Sequence, residues 1–316
     1  MNEPLYDGLS DTGPGSAICV QCPRRCGADR LKTTGFCGVS AGFQLARAAP
    51  HFGEEPCISG TNGSGAVFFC GCNLRCVFCQ NHEISRGKNG FSVSREELKK
   101  ILLRLQDEGV HNINLVTPSH YSHELARILR EVKLSVPVVW NSSAYETVEQ
   151  LKELEGLVQI YLPDMKYALP DPARRYSAAA DYPEAAAAAI REMFRQTGPF
   201  QTDENGLLKS GVLIRHLILP GQIENTLRVI DFVEDSFPKD AVMFSLLSQY
   251  TPIEALARAG ALDPFPELSR RISPEEYARV SDYLFFSSLE SGYVQELSSA
   301  EESFIPAFDG WGLFTY

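Results

Sequence analysis

From residue 66 onward, short apolar runs alternate with longer stretches in which apolar positions recur every three or four residues. Runs at 66–70, 113–117, 136–140, 158–163, 212–218 and 242–247 have strand length and are rich in β-branched and aromatic residues, which predicts six strands. Helical periodicity fills the intervals and predicts a helix from Ser94 to Gly109, others over 123–133, 147–154, 184–197 and 224–234, and a last one through Tyr277, Val280 and Leu284. The first opens on Ser94-Arg-Glu-Glu97, a capping box in which hydroxyl and carboxylate each take an otherwise unpaired N–H. The last opens on Ser273-Pro-Glu-Glu276, with proline at the first helical position, where no N–H is needed. Strand then helix, six times over, predicts parallel strands joined by crossover helices in an α/β fold. A partial (β/α)6 TIM-like barrel is expected, with a doubly wound open sheet as the alternative.

The flanks break this pattern. Residues 1–60 form a small Cys-rich N-terminal segment, led in by a polar stretch over 1–18 with the breakers Asp11-Thr-Gly-Pro-Gly15. The barrel is expected over 61–292. Residues 293–316 form a tail whose Phe304, Phe308 and Trp311 are expected to pack back on the barrel, over its mouth.

Charge and composition narrow the setting. With 44% hydrophobic residues in a chain of 316, a substantial core is available. No apolar run approaches the roughly 18 residues of a membrane span, and the acidic N-terminus has no apolar signal core. A cytoplasmic protein without a membrane partner is expected. A balance of 29 basic against 40 acidic residues disfavours sequence-independent nucleic-acid binding. Nine cysteines without an export signal point to metal or cluster ligation, not disulfides.

The densest chemistry follows the first strand, in Cys70-Gly-Cys72-Asn-Leu-Arg-Cys76-Val-Phe-Cys79-Gln-Asn81. Cys72, Cys76 and Cys79, spaced C-x3-C-x2-C, can hold three corners of a 4Fe-4S cluster and leave the fourth iron open. S-adenosylmethionine can bind that iron through its amino and carboxylate groups, and an electron delivered there breaks a C–S bond to release a 5′-deoxyadenosyl radical. With the aromatic Phe78 before the third cysteine, the stretch resembles the radical S-adenosylmethionine (radical SAM) superfamily. Zinc more usually pairs C-x2-C knuckles. An electron-carrying iron–sulfur protein would need a fourth ligand, for which Cys70 stands nearby; Cys70 is expected not to ligate. A second group, Cys19, Cys22, Cys26 and Cys37, suffices for a structural zinc site or a second 4Fe-4S cluster. Cys57 reads as a packed thiol.

In a parallel barrel the remaining site residues belong at strand ends. Asp164 and Lys166, two apart after the fourth strand, can point together into the mouth, or form a surface ion pair. Alternation sets Arg215 and His216 on opposite faces of the fifth strand, so one reaches the mouth and the other the helix layer. His120, Tyr121, Asn141, Tyr167, Gln249 and Tyr250 are candidates to touch a substrate.

Cys79-Gln-Asn81, Asp164-Met-Lys166, and Arg215-His216 with Leu219-Pro-Gly221 resemble the activating enzymes of glycyl-radical enzymes such as pyruvate formate-lyase. The chain is most similar to a pyruvate formate-lyase activating enzyme-like branch in its Cys19-x2-Cys22-Pro block, Gly53-Glu-Glu-Pro56, Asn112-Ile-Asn-Leu-Val-Thr-Pro118, Asp181-Tyr182 and Gln249-Tyr250. The resemblance implies the same barrel, S-adenosylmethionine contacts at Asp164, Lys166 and His216, and Phe78 near the adenine. It also implies a flavodoxin- or ferredoxin-type reductant and a protein substrate such as a glycine, a small metabolite being the alternative. Two departures stand out. Thr117-Pro118-Ser119-His120 replaces the superfamily's usual Gly-Gly-Glu, and the N-terminal cysteine block has no counterpart in the well-understood activases.

Overall fold

The computed structural model describes residues 18–86, 90–258, 260–299 and 306–313; the lead-in up to residue 17 and Phe304 lie outside them. In chain order the elements begin with β1 (Phe43–His51), the single turn α1 (Pro56–Ser59), β2 (Ser64–Phe69), α2 (His82–Ser85), β3 (Phe91–Val93) and α3 (Arg95–Asp107). There follow β4 (Ile113–Val116), α4 (Ser122–Glu131), β5 (Val138–Ser142), α5 (Val148–Lys152), β6 (Ile160–Pro163), α6 (Pro170–Ser177) and α7 (Tyr182–Thr197). The chain continues through β7 (Gln201–Thr202), β8 (Leu208–Leu217), α8 (Ile223–Ser236), β9 (Met243–Leu247), α9 (Glu254–Arg258), α10 (Pro274–Phe285) and β10 (Gly292–Val294).

The six expected strands are β2, β4, β5, β6, β8 and β9, each parallel to the next in that order. The sheet runs β10-β9-β8-β6-β5-β4-β2-β1-β3, and its two end strands do not pair with each other, so this partial TIM-like barrel is not closed by hydrogen bonds. Three additions were not read from the sequence: the nine-residue β1, whose buried positions do not alternate strictly, and the three-residue β3 and β10. β1 and β3 extend one edge antiparallel, and β10 extends the other parallel to β9. The sheet therefore reaches into both flanking segments, past the boundaries expected at 60 and 292.

Strand alternation divides the core in two. Val67, Phe69, Ile113, Leu115, Val138, Trp140, Tyr161, Val212, Ile214, Phe244 and Leu246 share one cluster with the helices, including Leu98, Ile101 and Leu102 of α3 and Ile190 and Met193 of α7. The intervening positions face the concave side. There Val139, Ile160, Leu162, Leu213 and Met243 surround Cys57 and Ile58 of α1, which closes the lower end of the barrel. Cys57 is the packed thiol the sequence suggests; burial pushes it up to about 11. The segment that carries α1 runs through the barrel interior because its backbone is tied to the strands, as where the Asn112 amide donates to Ile58 O at 2.7 Å.

The last described residues lie on β1. Gly310 N donates to Ala46 O and Ala48 N to Trp311 O, both at 2.9 Å, and the Phe308 ring meets Phe68 edge-on at 5.6 Å. Among the described residues, no helix is long and apolar enough to cross a membrane.

The Ser94 capping box is present in full, with Glu97 N donating to Ser94 Oγ at 3.2 Å and Ser94 N to Glu97 Oε2 at 2.7 Å. Ser94→Ala should lower the unfolding free energy by about 1 kcal/mol, measured as a shift in urea midpoint at unchanged slope.

Candidate functional site

Beyond β2 the chain leaves the sheet and crosses the barrel mouth in a loop, residues 72–79, with neither helix nor strand. Arg75, at φ 55°, turns the loop back on itself. Cys72, Cys76 and Cys79 all line one cavity of about 210 Å³. The N–H groups of Leu74 and Arg75 face Cys72 Sγ at 3.4 and 3.5 Å. The Ser177 hydroxyl donates to Cys76 Sγ at 3.1 Å and accepts from Tyr167 Oη at 2.8 Å. Donors aimed at sulfur stabilise a thiolate ligand and set the potential of a cluster bound there. Burial pushes the Cys79 thiol up to about 12, so ionising it takes a bound cation's charge. Among the described residues, no three His, Cys, Asp or Glu side chains are grouped as ligands of a single metal ion. The thiolates of a cubane bind different irons and need not converge on one point. The donor set thus fits a 4Fe-4S cluster. Cys70 does not line the cavity; it is fully buried beside Ala66, Phe68, Ile84 and Val116.

Below the cysteines lies a chain of half-buried charge. Lys166 Nζ donates to Asp164 Oδ2 at 2.8 Å, and Arg215 Nε donates to Asp164 Oδ1 at 3.0 Å. The same guanidinium donates to Glu54 Oε2 at 2.8 Å and to Asn141 Oδ1 at 2.6 Å. Glu54 Oε1 in turn accepts from Asn114 and Asn141 at 2.9 and 3.1 Å. Burial opposes ionisation of Asp164, but the Lys166 ammonium and Arg215 guanidinium overcome it and hold the carboxyl below its ordinary range. Asp164 and Lys166, just beyond β6, both line the cavity, held together by their ion pair.

His216 does not join them. It shares its face of β8 with Val212 and Ile214, its Nδ1 lies 2.7 Å from Met165 O, and its Nε2 lies 2.9 Å from Thr226 Oγ1 on α8. Burial lowers it to about 4, so it is a neutral strut between strand and helix. The expected cofactor contact at His216 is therefore corrected: the alternation left two choices, and Arg215 faces the mouth. Glu54 escaped sequence reasoning as a site residue. Gly53-Glu-Glu-Pro56 was visible as a motif, but no local period shows that one of its carboxylates meets Arg215.

Of the candidate substrate contacts, Asn141 and Gln249 line the cavity. Tyr167 and Tyr250 instead pack edge-on against Phe78, each at 6.4 Å between centroids, and brace that ring at the cavity wall. His120 is buried behind the loop with Nε2 2.8 Å from Cys70 O, and burial lowers it to about 3, so it is neutral and donates to that carbonyl. Tyr121 is buried beside it, its hydroxyl accepting from Gln44 N. Thr117 lines the mouth at φ 58°, a left-handed backbone that strains a β-branched residue by roughly 1–3 kcal/mol.

Removing one partner of a buried pair leaves the other charge uncompensated. Glu54→Ala should therefore destabilise the protein by about 3 kcal/mol at neutral pH, read from chemical denaturation. Because the Asp164 carboxyl is held low, its contribution is complete above the ordinary carboxylate range and is lost as pH falls through its folded pKa. The stability gap between wild type and Asp164→Asn should thus be widest near neutrality and close in acid.

Comparison with known proteins places this geometry. The family model for the radical SAM superfamily matches residues 66–233, more than half of the chain, and takes in the cysteine loop, Asp164, Lys166 and Arg215. An uncharacterized protein of Methanocaldococcus jannaschii is 29% identical over 268 residues, covering 82% of this chain and 71% of the relative. Among solved structures, SuiB of Streptococcus suis bound to its precursor peptide SuiA aligns with a TM-score of 0.48 at 11% identity, over 72% of this chain and 48% of SuiB. Methylornithine synthase (PylB) aligns with a TM-score of 0.43 at 15% identity, over 71% and 67% of the two chains. The chain spans about half the length of SuiB. Three cysteines that open on one cavity at the ends of parallel strands lie inside the matched residues, and the chain belongs to the radical SAM superfamily.

Proposed function

We propose that this protein is a radical SAM enzyme of the glycyl-radical-activase type, with a residue of a partner protein as substrate. The observation that carries the reading is the convergence of Cys72, Cys76 and Cys79 with Asp164 and Lys166 on one cavity. In this reading Cys72, Cys76 and Cys79 hold a 4Fe-4S cluster whose open iron takes S-adenosylmethionine. Cluster and cofactor together would supply reductive cleavage of the sulfonium and hydrogen abstraction from the substrate.

The chain's own residues bind and orient. Lys166 is the cation at the mouth suited to the methionine carboxylate. Asp164, with Arg215 still bonded to it, remains a charged acceptor for ribose hydroxyls. Phe78, braced by Tyr167, Tyr176 and Tyr250, offers a rigid apolar wall for the adenine. Where the superfamily usually has Gly-Gly-Glu, Thr117 together with Ser142 and Ser143 of the neighbouring strand end supplies the polar lining. Ser119 is not among the residues that line the cavity. Electrons would come from a flavodoxin- or ferredoxin-type donor. Cys19, Cys22, Cys26 and Cys37 would hold zinc or a second cluster.

Reconstituted anaerobically and given dithionite and S-adenosylmethionine, the protein should form 5′-deoxyadenosine and methionine, and the Cys72/Cys76/Cys79→Ala variant should form none. Product chromatography checks this; no 5′-deoxyadenosine from cluster-loaded wild type would sink the reading. Lys166→Ala should keep its iron but bind the cofactor roughly ten- to a hundredfold more weakly, as loss of a charge-assisted contact of ~1.5–3 kcal/mol implies. Equilibrium binding measures it. Ser177→Ala should shift the cluster's reduction potential to more negative values in an EPR-monitored titration, because the lost donor stabilises the more negative reduced state.

A further inference from the structure

The N-terminal cysteines lie before residue 66, where the family match begins. Residues 18–42 contain no helix, and one bridge between Ile18 and Asp29 is their sheet pairing among the described residues. Their buried side chains are Cys19, Cys22, Arg30, Cys37 and Val39, too few apolar groups for a core. Turns fix the course of the segment instead. Arg25 N donates to Cys22 O and Gly38 N to Gly35 O, both at 2.9 Å, and Gly27 N donates to Cys19 O at 3.1 Å. Cys26 Sγ and Cys37 Sγ flank one point, each 3.4 Å from where a Cβ on Gly35 would stand. A segment with four thiols and no core of its own would gain folding energy from a thiolate-bound metal.

The segment also completes the main cysteine loop. Cys72 N donates to Cys37 O at 3.0 Å, and Gly71 lies so close that a Cβ there would meet Cys37 O at 2.7 Å. Arg24 donates through Nε to Asn73 O at 2.9 Å and through Nη2 to Ser177 O at 2.6 Å. Its guanidinium lies 4.1 Å over the Phe36 ring, and Arg75 donates to Phe36 O at 3.0 Å. The buried Arg30 donates to His120 O at 2.7 Å, and His120 holds Cys70 O. The loop over 72–79 has no ladder of its own, so its polar backbone groups at Cys72 and Asn73 depend on these partners. Ser177, whose backbone Arg24 grips, is also the donor to Cys76 Sγ.

We infer that Cys19, Cys22, Cys26 and Cys37 bind a second metal centre whose occupancy controls assembly of the catalytic cluster, with Arg24 as the positioning residue that couples the two. The inference rests on the reading of Cys72, Cys76 and Cys79 as cluster ligands. Binding at one site then favours binding at the other, as linkage requires.

The test uses the full chain under anaerobic conditions. The Cys72/Cys76/Cys79→Ala variant should retain one zinc or about four irons per chain by metal analysis, which tells a zinc ion from a second cluster; no bound metal would overturn the second centre. Cys19→Ser/Cys22→Ser and, separately, Arg24→Ala are then reconstituted with iron and sulfide. The catalytic cluster is read by the change that S-adenosylmethionine makes in the EPR spectrum of the reduced protein, not by turnover. Both variants should lose most of that signal, and Arg24→Ala should do so while keeping its N-terminal metal. Full signal in Arg24→Ala would overturn the coupling while leaving the second centre standing. A wild-type spectrum that does not respond to S-adenosylmethionine would instead overturn the reading of the main site.

Discussion

A guanidinium inside a protein must be neutralised on all its bonding edges, and much of this barrel is arranged to do so for Arg215. Its five donors point in a fixed plane, so partners must come from defined directions. Asp164 supplies one from the end of β6, Asn141 another from β5, and Glu54 a third from the segment threaded behind β1. The charge cluster therefore locks together four pieces of chain, β8 included. It also fixes the orientation of Asp164, whose second oxygen is left to Lys166 at the mouth. The apolar plug of Cys57 and Ile58 seals the lower end and keeps water from that side of the ion pairs, which strengthens them.

Above this layer the demands reverse. Cluster ligands need a loop free to wrap, and a loop without helix or strand leaves its own N–H and C=O groups unpaired. The structure meets them from outside: Cys37 O accepts from Cys72 N, Tyr176 O accepts from Val77 N, and Arg24 donates to Asn73 O. The left-handed backbone at Thr117 and Arg75 marks the same mouth as a place where local strain is tolerated in exchange for position. A rigid lower barrel supports that tolerance at Thr117, which directly follows β4 and donates its N–H to Asn141 O of the neighbouring strand at 2.8 Å.

What a residue does here depends on which face of its strand it occupies, and alternation carries that information only relative to its neighbours. Arg215 and His216 show the consequence. The pattern of Leu213, Arg215 and Leu217 against Val212, Ile214 and His216 was legible, but each row is apolar apart from one polar member. Which row faced the cavity depended on α8 bringing Thr226 to His216 and on Glu54 arriving from behind β1.

The sequence by itself determined the strand–helix alternation, the helix starts at Ser94 and Ser273, and the C-x3-C-x2-C loop placed just after the first parallel strand. These rest on contacts within a few residues, on side-chain periodicity and on the reach of one short loop around one cluster, so they are written locally. Only the tertiary structure decided that β1, β3 and β10 widen the sheet, that α1 plugs the barrel, that Arg215 rather than His216 faces the cavity with Glu54 against it, and that the N-terminal cysteine segment holds the cysteine loop. Each of those depends on polar groups satisfied across dozens to hundreds of residues. No local pattern records such a pairing, because a buried donor is answered by whichever acceptor the fold brings to it.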